Sequence, residues 1–202
     1  MTPTKNDLTG KAALITGGTM GIGLACGLAL GGAGASVYLT NRWGSADEGE
    51  VMDAFARAGA PVPVILEADI AHAGDTNKVM ARIAEQHDAL EVFVSNVCVV
   101  QPTAGIESYN RRAMNKSLEM SAWPLVSYTK AAHKAMGSYP RYVVGISSDG
   151  PDVYYERYEY VALAKTVMEV LGRYMSAHLA DEPVNVNMVR TRNVLTQSCL
   201  TI

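Results

Sequence analysis

The stretch TGGTMGIG, Thr16 to Gly23, closes the run AALIT (12–16) and leads into LACGLALGGAGA, an apolar, alanine-rich segment. Strand, glycine-rich turn and helix thus follow one another in the order of a dinucleotide-binding βα unit. Glycines let the backbone approach a pyrophosphate and let the helix pack close on the strand. The helix N-terminus adds unpaired N–H groups and the positive end of its dipole. Gly17, Thr19, Met20, Gly21, Ile22 and Gly23 are the expected contacts of that ligand.

Working outward, short β-branched runs alternate with longer segments of helical period. The runs are AALIT (12–16), SVYLT (36–40), PVILE (63–67), EVFVS (91–95), YVVGI (142–146) and VNVNMV (184–189). This alternation predicts βαβ units and a parallel sheet covered on both faces. Ser45 with Glu48 reads as a capping box opening the second helix, and Gly59 as its stop. No repeat, low-complexity tract or linker divides the 202 residues. The expected fold is a doubly wound, Rossmann-type α/β domain of three layers, α/β/α, spanning 1–202 as a single unit.

Composition narrows the partners. Seventeen basic against twenty acidic side chains give a charge of −3, which argues against nucleic acid and anionic membrane. No apolar run approaches the ~18 residues of a membrane span, and the first residues do not read as a signal peptide. A soluble, cytoplasmic protein with a small-molecule substrate is expected. Cys26, Cys98 and Cys199 are odd in number and widely spaced, and the four histidines lack ligand spacing, so neither a disulfide framework nor a metal is expected.

The end of the second strand, YLTNRW, discriminates between dinucleotides. NAD-selective sites usually place a carboxylate there for the ribose 2′-hydroxyl. Here Asn41 stands at that position and Arg42 follows, so a 2′-phosphate meets a guanidinium instead of a repelling acid. NADP(H) is the expected cofactor, although Met20 stands where a second basic residue often helps.

The spacing TGxxxGIG, together with landmarks further along, resembles the short-chain dehydrogenase/reductase family over nearly the whole chain. The resemblance implies an adenine contact at Asp69 and Ile70 in EADI, and a cofactor wall at Asn96. It also implies a proton-relay asparagine at Asn115, an active-site serine at Ser148, and a ribose-binding lysine at Lys165. Val194 and Thr196 match positions facing the nicotinamide carboxamide. Three stretches depart from the pattern. SNVC (95–98) replaces the family's Asn-Asn-Ala-Gly and puts Cys98 on the substrate side, and Thr191-Arg192 replaces a Pro-Gly pair. The sequence also ends at Ile202, where family members normally continue into substrate-covering helices and a last strand, so that lid is expected to be short or missing.

The most telling departure lies in YYERYEYVALAK, Tyr154 to Lys165. Most family members carry Tyr-x-x-x-Lys, and that tyrosine position is Val161 here, which has no proton to give. At ~100° per residue Tyr160 points away from Lys165, whereas Tyr158, seven positions before the lysine, returns to its face at ~10.5 Å of rise if the segment is helical. Val161 lies between them and is small enough to leave a gap. The resulting Tyr-x6-Lys is similar to the enoyl-acyl carrier protein reductase branch of the family, with Tyr154 resembling an upstream substrate-lining tyrosine. That resemblance implies hydride transfer to Cβ of a conjugated thioester, with Tyr158 serving the thioester oxygen, on an acyl carrier protein or coenzyme A substrate. An atypical keto reductase and a catalytically silent NADPH-binding regulator remain open. The family further implies a homodimer or homotetramer built on its fourth and fifth helices.

Overall fold

The runs of β-branched residues become six parallel strands in the order β3-β2-β1-β4-β5-β6. The computed structural model describes residues 7–42, 47–192 and 194. The strands are β1 (Ala12–Ile15), β2 (Ser36–Asn41), β3 (Val64–Glu67), β4 (Leu90–Ser95), β5 (Tyr142–Ser148) and β6 (Asn185–Thr191). The helices between them are α1 (Gly21–Gly32), α2 (Glu48–Arg57), α3 (Ala73–Ala84), α4 (Arg111–Ser121), α5 (Pro124–Met136) and α6 (Glu159–His178). Every expected run lies on its strand to within two residues. Ser148, expected just after the fifth strand, is the last residue of β5.

Alternation along the strands builds two cores. Leu14, Tyr38, Phe93 and Val143 pack with α3, α5 and α6 on one face, the Phe93 and Tyr128 rings stacking at 5.6 Å. Ala13, Ile15, Val37 and Leu39 face the other way, against α1 and Val51 and Phe55 of α2. Because both faces are covered, the strands read as nearly unbroken apolar runs. Sheet order reverses between β1 and β4, and in an open parallel sheet that reversal opens a crevice at the strands' C-terminal ends.

Two local expectations change. The second helix starts at Glu48, and Asp47 is its cap: the Asp47 carboxylate accepts the backbone N–H of Glu50 at 3.2 Å. The same spacing, an oxygen-bearing cap and an acid three residues on, recurs two positions after Ser45, and the carboxylate takes the role. Ser45 itself is outside the described residues. Gly59 does end the helix, with φ at +64°. The fourth family helix is divided: α4 ends at Ser121, and Pro124, which lacks an N–H, opens α5 at its first turn. No helix among the described residues is long and apolar enough to cross a membrane.

Asp47→Ala should lower unfolding free energy by about 1 kcal/mol, the usual worth of an N-cap. Urea denaturation measures it, and an unchanged midpoint would show that Asp47 is not the cap.

Candidate active site

The crevice is laced together by short polar contacts. Thr16 Oγ1 donates to the Val94 carbonyl at 3.3 Å and accepts the Asn96 backbone N–H at 3.0 Å. The Asn96 side-chain amide then donates to the carbonyls of Thr16 and Gly17, at 3.0 and 3.1 Å. Gly17 has φ of +61°, which favours glycine. At Gly23 the constraint is space, since a Cβ would stand 2.2 Å from the Gly17 carbonyl oxygen and 2.7 Å from Asn96 Nδ2. Met20 caps α1 in extended conformation without a side-chain hydrogen bond, and the first turn carries no acid. Its N–H groups are therefore offered to a ligand at the positive helix end. Thr19 is buried, Met20 exposed, and Ile22 turns inward onto the core.

At the far end of the crevice, Asn41 is 7% exposed, and its Oδ1 has no partner among the described residues. Arg42 reaches across to Asp69 at 3.3 Å. Asp69 also accepts the Ala71 N–H through Oδ1, shaping the turn after β3, and Ile70 is buried beside it. Arg42, Asp69 and the start of α4 enclose a cavity of about 520 Å³. Asn115 lines that cavity from the exposed side of α4. The inward face of α4 carries Ser117, Met120 and Ser121 instead.

The tyrosines are separated by the start of α6. Residues 154–157 are not helical, and Arg157 adopts φ of +62°. Tyr158 is the N-cap residue, and its carbonyl accepts the Ala162 N–H at 2.8 Å. Its ring lies over Gly150, where a Cβ would meet Tyr158 Cε1 at 2.6 Å and Ser148 Oγ at 3.2 Å, so ring and serine border the same point. Ser148 Oγ accepts the Gly150 N–H at 3.2 Å. Tyr154 is 83% exposed and lines, with Tyr155, Tyr158 and Ala162, a second cavity of about 340 Å³.

Tyr160 is buried, and its hydroxyl both accepts the Asn110 N–H at 2.6 Å and donates to the Asn110 carbonyl at 3.2 Å. Val161 is buried in the core. Lys165, 4% exposed, donates to the Ile146 carbonyl at 2.6 Å. Cys98 is half-buried, next to Val97, which packs on Gly17. Val194 is exposed, and Thr196 is outside the described residues.

Charged groups that the motifs did not single out fix the loop carrying the tyrosines. Asp149 Oδ2 accepts the Tyr155 hydroxyl at 2.9 Å and Arg192 Nε at 3.3 Å, giving Arg192 a partner. The hydrogen bond to that carboxylate raises the Tyr155 phenol above its ordinary value. Arg190 bridges Glu169 and Asp152, and Ser147 donates to Glu169. Burial pulls the Glu169 carboxyl upward, but hydrogen bonds from Arg190 and Ser147 outweigh it and leave the group below its ordinary 4.5. The Thr103 hydroxyl likewise holds Glu159 below 4.5.

The family model described as enoyl-(acyl carrier protein) reductase matches residues 17–201. The chain is a short-chain dehydrogenase/reductase. Among curated members of that family, an uncharacterised oxidoreductase of Methylorubrum extorquens is 26% identical over 190 residues, 94% of this chain and 75% of that protein. The 1-cyclohexenylcarbonyl-CoA reductase of Streptomyces collinus is 27% identical over 179 residues, 89% of this chain and 63% of that protein.

Two solved members of this fold carry different dinucleotides. An NADH-dependent reductase complexed with NAD superposes with a TM-score of 0.82 at 21% identity, over 95% of this chain and 82% of that one. A short-chain dehydrogenase of Burkholderia cenocepacia in complex with NADP gives 0.83 at 22%, over 95% and 78%. As a short-chain dehydrogenase/reductase this chain is an NAD(P)-dependent oxidoreductase, and its residues fit such a cofactor. At Gly17, Gly18 and Gly23 of the cradle a side chain would collide with Val97, Leu39 and the Gly17 carbonyl. Asn41 offers a buried, unpartnered acceptor. The Lys165 ammonium, with three N–H groups, makes one hydrogen bond among the described residues.

Tyr160→Phe removes the acceptor of the Asn110 N–H, which is exposed enough to turn to water, and should cost about 0.5–1.5 kcal/mol. Denaturant titration checks it, and wild-type stability would overturn the structural role given to Tyr160. Because Glu169 titrates lower folded than unfolded, its stabilisation is present above pH 4.5 and is lost as pH falls through the depressed value. Glu169→Gln should flatten the acid limb of stability against pH, and an unaltered limb would show that Glu169 does not contribute to it.

Proposed function

We propose that this protein is an NADP(H)-dependent reductase of conjugated enoyl thioesters. The observation that carries the reading is the placement of Tyr158, whose ring borders the same point as Ser148 and lines the cavity with Tyr154 and Ala162, while the family's usual tyrosine position is a packed valine. The family model's description and the coenzyme A-ester reductase among its relatives support the substrate class. Asn41 followed by Arg42 at the end of β2, with no carboxylate at either position, supports NADP(H).

The cofactor supplies a hydride, which in enoyl reduction goes to Cβ while negative charge appears on the thioester oxygen, two carbons further along. In ketone reduction the proton is needed on the atom bonded to the hydride acceptor. A hydroxyl set back from the lysine therefore suits the thioester oxygen. Tyr158 donates a hydrogen bond to that oxygen and stabilises the enolate as it forms, and the enolate then takes a proton from water at Cα to complete the reduction. Lys165 turns its remaining N–H groups to the nicotinamide ribose. Tyr154 lines the acyl cavity, Ala162 keeps part of its wall apolar, and Ser148 stands beside the Tyr158 ring. Coenzyme A and acyl carrier protein thioesters share the reacting group, and a homodimer or homotetramer is the assembly we assign by family likeness.

Paired crotonyl and acetoacetyl thioesters, followed by NADPH oxidation, test the assignment. Tyr158→Phe should lower kcat on the enoyl substrate roughly 10²-fold, with NADPH affinity unchanged by calorimetry. Turnover of the keto substrate alone, or full activity in Tyr158→Phe, defeats it.

A further inference from the structure

Helix α4 begins against its own dipole. Arg111 and Arg112 are its first two residues, and no acid lies in the first turn, so two cations stand where the helix end is already positive. Lys116 follows Arg112 by four positions, and Glu119 follows Lys116 by three, which puts them on one stripe of the helix. All four are exposed, and they line the 520 Å³ cavity opposite Arg42 and Asp69. The opposite face of α4 is buried through Ser117, Met120 and Ser121. A local rule broken on an exposed face, beside a cavity, calls for an anion from outside the chain.

The charges indicate which anion. Arg42 is paired with Asp69 at 3.3 Å, and that carboxylate offsets much of its field. The α4 wall brings three cations against one carboxylate, a surplus of two. A phosphate monoester carries about −1.5 to −2 at neutral pH. Arg42 directly follows Asn41, whose buried Oδ1 awaits a donor such as a ribose hydroxyl, so the cavity adjoins the expected adenosine ribose.

We infer that Arg111, Arg112 and Lys116 hold the 2′-phosphate of the dinucleotide from the wall opposite Arg42. Discrimination between the phosphorylated and unphosphorylated cofactor then belongs to α4 as much as to the end of β2. This rests on the NADP(H) reading above and locates its selectivity.

Calorimetric titration of 2′,5′-ADP and 5′-ADP into the full chain tests both levels without any turnover. Wild type should bind 2′,5′-ADP at least tenfold more tightly. The triple variant Arg111→Ala/Arg112→Ala/Lys116→Ala should lose at least tenfold for 2′,5′-ADP, while 5′-ADP changes by less than twofold. Arg42→Ala alone should lose less than the triple variant. The substituted side chains are exposed, and a thermal melt of each variant verifies its fold. A triple variant that keeps the wild-type preference, or that weakens both ligands equally, overturns the role of α4 and leaves the cofactor reading standing. A wild type that binds the two ligands equally overturns both.

Discussion

The side-chain amide of Asn96 holds the working end of the molecule closed. It bridges from the end of β4 to the carbonyls of Thr16 and Gly17 at the end of β1, across the point where sheet order reverses. Those carbonyls lie in a turn that cannot bond them within a strand or helix, and a buried carbonyl without a donor costs ~1–3 kcal/mol. With both satisfied, the turn can bring Gly17 against Gly23 so closely that a methyl group would not fit. The N-terminus of α1 is thereby aimed into the crevice. The phosphate-side contacts expected from the sequence depend on this one asparagine staying in place, although SNVC departs from the family's wording around it.

A second set of contacts fixes what stands opposite. The loop from Asp149 to Tyr158 has no regular structure of its own, and the end of β6 holds it. Arg192 and Tyr155 meet on Asp149, while Arg190 joins Asp152 to Glu169 on α6. Surface ion pairs taken singly contribute little, but a guanidinium bound by two carboxylates at once also fixes geometry. The replacement of a Pro-Gly pair by Thr191-Arg192 thus supplies a charged tie where the family has a rigid turn. The loop that presents Tyr154 and Tyr158 is held by β6.

Most of the fold was legible because the central strands are buried on both faces and their runs are therefore mostly apolar. SVYLT and EVFVS announce themselves, and Gly59 marks a helix end through a φ that few other residues accept. The helix start at Asp47 was harder, since two cap-like residues compete within three positions and only the backbone geometry chooses. Tyr160, set aside by the chain's own period, bonds to Asn110, whereas Lys165 bonds to Ile146. The site was not legible where a distant partner decides. Tyr160 is bonded to Asn110, fifty positions away, and Asn115 lies outward because the inward positions of α4 are filled by Ser117 and Met120. Spacing cannot report either of those pairings.

The placement of Tyr158 at the helix mouth alters what its distance from Lys165 means. A residue one turn inside a helix has its direction set by the helix axis, as the usual Tyr-x-x-x-Lys does. Tyr158 is the cap: its backbone belongs to α6, but its ring is seated by Gly150 beneath and by Tyr155 at its edge, 5.8 Å between centroids. Tyr155 in turn is bonded to Asp149, which Arg192 also holds. The position of the hydroxyl is therefore set by a chain of contacts that ends on β6, whereas Lys165 is fixed by β5 through Ile146. Changes in the β5–α6 loop therefore bear on the Tyr158 ring through Gly150 and Asp149, whereas the lysine keeps its bond to Ile146 inside β5.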